Sequence, residues 1–118
     1  MPYVQIDLDK SLYEEKGDAI SEAIHQGLID GLDMDPTDLF QVFRPRNPGE
    51  IKFSRTYNGV NRDAPLSIHM LMVHMFPVAA KRKMFEEVVK NLKAIGITPD
   101  NVLIGIRENG FEDWFAGK

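Results

Sequence analysis

The sequence predicts an α/β (α+β) fold in which two pseudo-symmetric β-α-β repeats build one four-stranded sheet with two helices on a single face. Three observations carry this. At the start of the chain Val4, Ile6 and Leu8 alternate with Tyr3, Gln5 and Asp7, the period of a half-buried strand. The same order of elements recurs 63 residues later: Pro2 and Pro65 each open a strand, and Pro36 and Pro99 each lead into another, in "GLDMDPTDLF" and "AIGITPDNVL". Finally, "LSIHMLMV", residues 66–73, is apolar on both faces, so the sheet needs a cover that two helices on one side do not supply; other subunits are expected to provide it.

The elements follow in order. After the first strand, Ser11 and Glu14 have capping-box spacing, and Ile20, Ala23, Ile24, Gly27, Leu28 and Leu32 mark the buried face of a helix over residues 12–31. A turn at Pro36 leads to a strand over 39–44, which "RPRNPGE" ends. "IKFSRTY" is expected to close a hairpin, with a tight turn at Asn58-Gly59. The second half has a strand over 66–73 and a helix over 81–94, on which Met84, Phe85, Val88, Val89 and Leu92 recur at helical spacing. Gly96 stands at C′, and the last strand covers 101–108. The organisation is one domain, with repeats at about 2–57 and 65–108 and a C-terminal segment over 109–118. Two such units make parallel pairs through right-handed crossovers.

Composition narrows the function. With 118 residues, 43% hydrophobic and 27% charged, the chain is an ordinary globular domain. A net charge of −4 argues against nucleic-acid binding, which concentrates Lys and Arg. Absence of cysteine rules out disulfides, thiolate metal sites and a thiol nucleophile. There is no secretory signal pattern and no apolar run near the roughly 18 residues of a membrane span, so a cytoplasmic protein is expected. "DMDPTD" lacks the glycine and terminal glutamate of a calcium loop, and His69 and His74, five apart on a strand, face opposite sides. No phosphate loop or nucleophile elbow appears, and no cofactor site is expected.

Proline at position 2 has two readings. It can open a strand where its missing N–H costs nothing. If Met1 is removed, it is instead a secondary amine, and an amine with a pKa near working pH can take a proton from carbon and return it. A free α-amino group has a pKa of about 7.7–8.0, and burial among apolar groups lowers the value for any amine. With Met1 retained, the nitrogen is an amide and has no basic lone pair.

The Met-Pro start, the duplicated halves, Asp38 just before the second strand and the terminal "EDWF" together resemble the tautomerase superfamily, the group of oxalocrotonate tautomerase and macrophage migration inhibitory factor. Within it the chain looks most like the malonate semialdehyde decarboxylase-like branch, whose C-terminal portion Glu112-Asp113-Trp114-Phe115-Ala116-Gly117 matches in part. The resemblance implies a homotrimer that acts on a small carbonyl compound without a cofactor. Pro2 would be its acid/base, Asp38 the partner of Pro2, and Trp114 a wall of the pocket.

The branch carries two arginines after the third strand that bind a substrate carboxylate; His74 and Phe76 stand at those positions here. His74 then either donates a hydrogen bond to a substrate carbonyl or merely ends a strand. Asp38 is either a partner of Pro2 or a turn residue, and Trp114 either lines the pocket or plugs a subunit contact. Arg44, Arg46, Arg55, Arg62 and Arg107 remain as carboxylate partners, with Arg44 and Arg107 ahead as strand-end residues. The leading expectation is a keto–enol tautomerase. The alternatives are a decarboxylase or hydratase of a three-carbon acid, and a non-catalytic binding protein of the same fold.

Overall fold

The computed structural model describes residues 2–118. The chain runs β1 (Tyr3–Asp9), α1 (Lys10–Leu32), β2 (Gln41–Arg46), β3 (Leu66–Val73), α2 (Val78–Ala94) and β4 (Val102–Asn109), with short 3-10 turns at Tyr57–Gly59, Pro99–Asn101 and Phe111–Asp113. The strands form one sheet in the order β2-β1-β3-β4. β1 pairs parallel with β2, β3 parallel with β4, and β1 antiparallel with β3, so two β-α-β units meet at the sheet's centre.

Period-2 patterning places the core. Val4, Ile6 and Leu8 of β1 and Leu66, Ile68, Met70 and Met72 of β3 are buried against Ile20, Ile24 and Leu28 of α1 and Met84, Val88 and Leu92 of α2. Each such side chain contributes about 1.5–3 kcal/mol of transfer free energy. The helices touch through glycines: a Cβ on Gly27 would stand 2.8 Å from the Val88 Cα, and one on Gly31 2.6 Å from the Met84 backbone nitrogen. α2 ends in a Schellman motif, with Gly96 at φ +91° and the N–H groups of Gly96 and Ile97 on the carbonyls of Lys93 and Leu92.

The other sheet face, bearing Tyr3, Gln5, Asp7, Ser67, His69, Leu71, Leu103 and Arg107, has no helix on it among the described residues. There Asp7 accepts from Arg44 (Nε 3.1 Å, Nη2 2.9 Å) and Arg46 (Nε 3.0 Å). Partial burial raises the Asp7 pKa, but the two guanidinium groups outweigh it and hold the carboxyl below its ordinary value.

Three expectations need correction. α1 begins at Lys10 with Asp9 as its N-cap, so Ser11 is already the second helical residue and Glu14 the fifth, and the two form no capping box. β2 starts at Gln41 rather than Leu39. Residues 51–56 form no strand: the outer edge of β2 stays unpaired among the described residues, and the segment crosses towards the starts of β3 and β4, held by turns instead. Arg62 N–H bonds Arg55 O at 2.8 Å, and the Asn101 side chain accepts from the N–H groups of Asp63 and Ala64. The turn at Asn58-Gly59 forms, with φ of 64° and 73°.

Candidate active site

One end of the sheet gathers most of the sequence-predicted site residues. β1 and β2 begin there, and the antiparallel β3 and β4 finish there. Pro2 is buried and shares the core-facing parity of Val4 and Ile6. Val4 N–H bonds Phe40 O at 3.0 Å, and the rings of Tyr3 and Phe40 stack with centroids 5.2 Å apart. This register sets Pro2 abreast of Leu39, one residue beyond Asp38.

The Asp38 approach is a fixed turn. Asp35 accepts from the Thr37 N–H and hydroxyl, both at 2.8 Å, and the Asp38 N–H bonds Asp35 O at 2.9 Å. The two Thr37 hydrogen bonds hold the Asp35 carboxyl below its ordinary value. His25 on α1 lies 2.8 Å from the Pro36 carbonyl through Nε2. A carbonyl only accepts, so Nε2 carries the proton.

On the other side of Pro2 the antiparallel register continues Tyr3↔Leu71 to Met72, which pairs with Glu108. Glu108 therefore lies two strands from Pro2, about 10 Å at the ordinary strand spacing, with the same parity as core-facing Ile104 and Ile106. Its carboxylate meets Lys81 Nζ at 2.9 Å and His74 Nδ1 at 3.0 Å. The Lys81 hydrogen bond, with help from His74, outweighs desolvation and holds the Glu108 carboxyl below its usual range. The His74 side chain is 78% exposed, against 23% for Glu108 and 20% for Lys81, so the imidazole is the solvent-facing member of the cluster.

The C-terminal turn closes the same end. Gly110 N–H donates to the Asp113 carboxylate at 2.8 Å, and Asp113 N–H returns to Gly110 O at 3.1 Å. That turn brings the Trp114 indole to the Asn109 side-chain oxygen. Phe76, half-buried, packs on the core just before α2.

Two expected residues lie elsewhere. Arg44 is committed to Asp7 on the helix-free face, five residues and roughly 17 Å along β1 from Pro2. Arg107 lies in the row of Tyr3 and Leu71 but also on the helix-free face, beside a cavity of about 170 Å³ with Tyr3, Gln5 and His69. Within one chain, neither joins the Pro2 end on the helix side. Conversely, Glu108, Lys81, Asn109 and His25 were not singled out from the sequence. Glu108 did leave a signal: an acid continues the row Val102, Ile104, Ile106, where the strand period demands an apolar residue.

Among the described residues no group of three or more His, Asp or Glu is placed to hold a metal ion, and no helix is long and apolar enough to cross a membrane. A family model described as "Tautomerase enzyme" matches residues 38–117. The chain is 28% identical to the "Probable tautomerase YusQ" of Bacillus subtilis (strain 168), over 99% of this chain and 94% of that protein. It is similar to the crystal structure of FG41 malonate semialdehyde decarboxylase inhibited by 3-bromopropiolate, with a TM-score of 0.91, 27% identity, and coverage of 98% of this chain and 89% of that one. A fused 4-OT solved as an asymmetric trimer shares the fold, with a TM-score of 0.79, 12% identity, and coverage of 98% and 92%.

Proposed function

Because the chain belongs to the tautomerase family of enzymes, we propose that Pro2 is its acid/base and that the reaction is keto–enol tautomerisation of a small keto acid or related carbonyl compound. The observation that carries the proposal is the burial of Pro2 at the sheet end where Asp38, His74, Phe76 and Trp114 also gather.

The chemistry is redox-neutral. With Met1 removed, the neutral Pro2 nitrogen takes the proton from the carbon next to the carbonyl. The C–H pair becomes the new C=C bond, and the ammonium then gives its proton to the carbonyl oxygen. Burial keeps the amine neutral at working pH, and its ring fixes the nitrogen's direction. Asp38 faces the ammonium, His74 donates to the carbonyl oxygen, and Phe76 and Trp114 form apolar walls. Met1 itself lies outside the described residues, so its removal is part of the proposal.

The helix-free sheet face supports a homotrimer, in which three such faces enclose one core and the Arg44 and Arg107 of neighbouring copies can approach a shared site. A cytoplasmic location belongs to the same reading. Decarboxylation or hydration of a three-carbon acid is the second reading, favoured by the close overlay on malonate semialdehyde decarboxylase and opposed by His74 and Phe76 in place of an arginine pair.

Ketonisation of an aryl enolpyruvate, assayed with protein shown by intact mass to lack Met1, tests the proposal. Turnover abolished in Pro2→Ala is expected. Equal rates for Pro2→Ala and the parent protein would sink it, and carbon dioxide release from a three-carbon semialdehyde acid would favour the second reading.

A further inference from the structure

The helix-free face carries a cavity of its own, away from Pro2. The β2–β3 connection lies over the first residues of β3 and β4 and leaves an open cavity of about 330 Å³. Ile51, Phe53, Tyr57 and Leu103 give it apolar walls, Lys52 and Arg62 are its cations, and no Asp or Glu lines it. The volume is at the small end of the roughly 300–1,000 Å³ of ligand pockets.

Arg62 is the unusual member. It is only 8% exposed, yet among the described residues no carboxylate pairs with it. Its Nη1 donates to the Ser54 carbonyl at 3.0 Å, and its guanidinium carbon lies 5.9 Å from the centre of the Tyr57 ring. A guanidinium has five N–H donors, so most of its capacity has no protein acceptor. A buried cation without a counter-charge is costly, and a carboxylate matches the guanidinium fork through two parallel hydrogen bonds.

We propose that this cavity is a second, non-catalytic binding site for a small monocarboxylate with a short apolar body. The carboxylate pairs with Arg62, and Lys52 adds attraction from the exposed side. Ile51, Phe53 and Leu103 receive the apolar body, a role that strongly hydrated inorganic phosphate does not fit. A small acid is the occupant, because about 330 Å³ holds only a short body and the cavity's cations, Arg62 and Lys52, have no Asp or Glu beside them in its lining. The site does not depend on Pro2 chemistry: Ser67, at its floor, is four residues and about 13 Å along β3 from the residue opposite Tyr3.

Phenylacetate is the probe, added to the full chain while the methyl signals of Ile51 and Leu103 are followed by NMR. Saturable shifts of those signals are expected, unchanged in Pro2→Ala and weakened by about tenfold or more in Arg62→Gln and with neutral phenylacetamide. Should Arg62→Gln fail to fold by circular dichroism, Leu103→Trp fills the cavity with Arg62 in place and must also block binding. Three results would overturn the proposal: no saturable shift, shifts confined to the Pro2 and Trp114 end, or parental affinity in either variant. Ile51 and Leu103 signals that respond to protein concentration and not to phenylacetate would also overturn it, because a second copy would then fill the cavity.

Discussion

The Trp114 indole N–H donates to the Asn109 side-chain oxygen at 2.7 Å, while the Asn109 backbone oxygen accepts from His74 N–H at 2.8 Å. One residue at the end of β4 thus ties the C-terminal turn to the end of β3. Asn109→Ala is expected to release the indole and leave the β-ladder intact, at a cost of about 0.5–1.5 kcal/mol, the usual net value of one hydrogen bond. Trp114 is the sole tryptophan, so its fluorescence reports the release as a red shift and stronger quenching by iodide. Unchanged emission would show that packing alone holds the ring.

Glu108 provides a pH prediction. Lys81 first, and His74 with it, hold the folded carboxyl below its ordinary 4.5. A depressed carboxylate pKa contributes stability that is fully present above the unfolded value and is lost as pH falls through the folded one. The Glu108 carboxyl carbon should therefore titrate below 4.5 by NMR and move up towards 4.5 in Lys81→Met. A midpoint unmoved by Lys81→Met would remove that lysine as the cause.

These two clusters show what a sequence discloses. β1, β3, β4 and both helices follow local periods, so Val4-Ile6-Leu8 and Met84-Val88-Leu92 reveal their buried faces unaided. Glu108 and Lys81 are 27 residues apart and His25 and Pro36 are 11 apart, and only the sheet register and the α1 packing bring each pair together. The segment "IKFSRTY" has strand-like composition and the outer edge of β2 is unpaired among the described residues, but tertiary packing, a global property, decides whether it adds there. Its apolar side chains line the Arg62 cavity instead.

The glycines of α1 separate two kinds of space. At Gly31 a Cβ meets the Met84 backbone, which cannot turn aside, so Gly31→Ala should destabilise by about 1–3 kcal/mol through overpacking. At Gly17 the Cβ meets only the Tyr13 ring at 2.9 Å, and a ring can rotate away. There the gain of up to about 1 kcal/mol from replacing glycine in a helix should offset the contact. Urea denaturation of the two variants checks this, and equal losses at both positions would contradict it.

His25 offers the sharpest test of the Asp38 turn. Its Nε2–H holds the Pro36 carbonyl, two residues before Asp38, while Nδ1 is buried with no hydrogen-bond partner. Only one ring nitrogen therefore anchors the turn, and His25→Gln can replace it where His25→Ala cannot. His25→Ala should cost about 0.5–1.5 kcal/mol of stability, one hydrogen bond, and lower kcat more than it raises KM. The kinetic loss should shrink when Asp38 is already Asn, because two residues acting through one group are not additive. If His25→Ala slows the Asp38→Asn enzyme by the same factor as the parent, His25 acts on the helix and not through Asp38. Recovery of kcat in His25→Gln separates loss of the anchor from loss of the ring's packing.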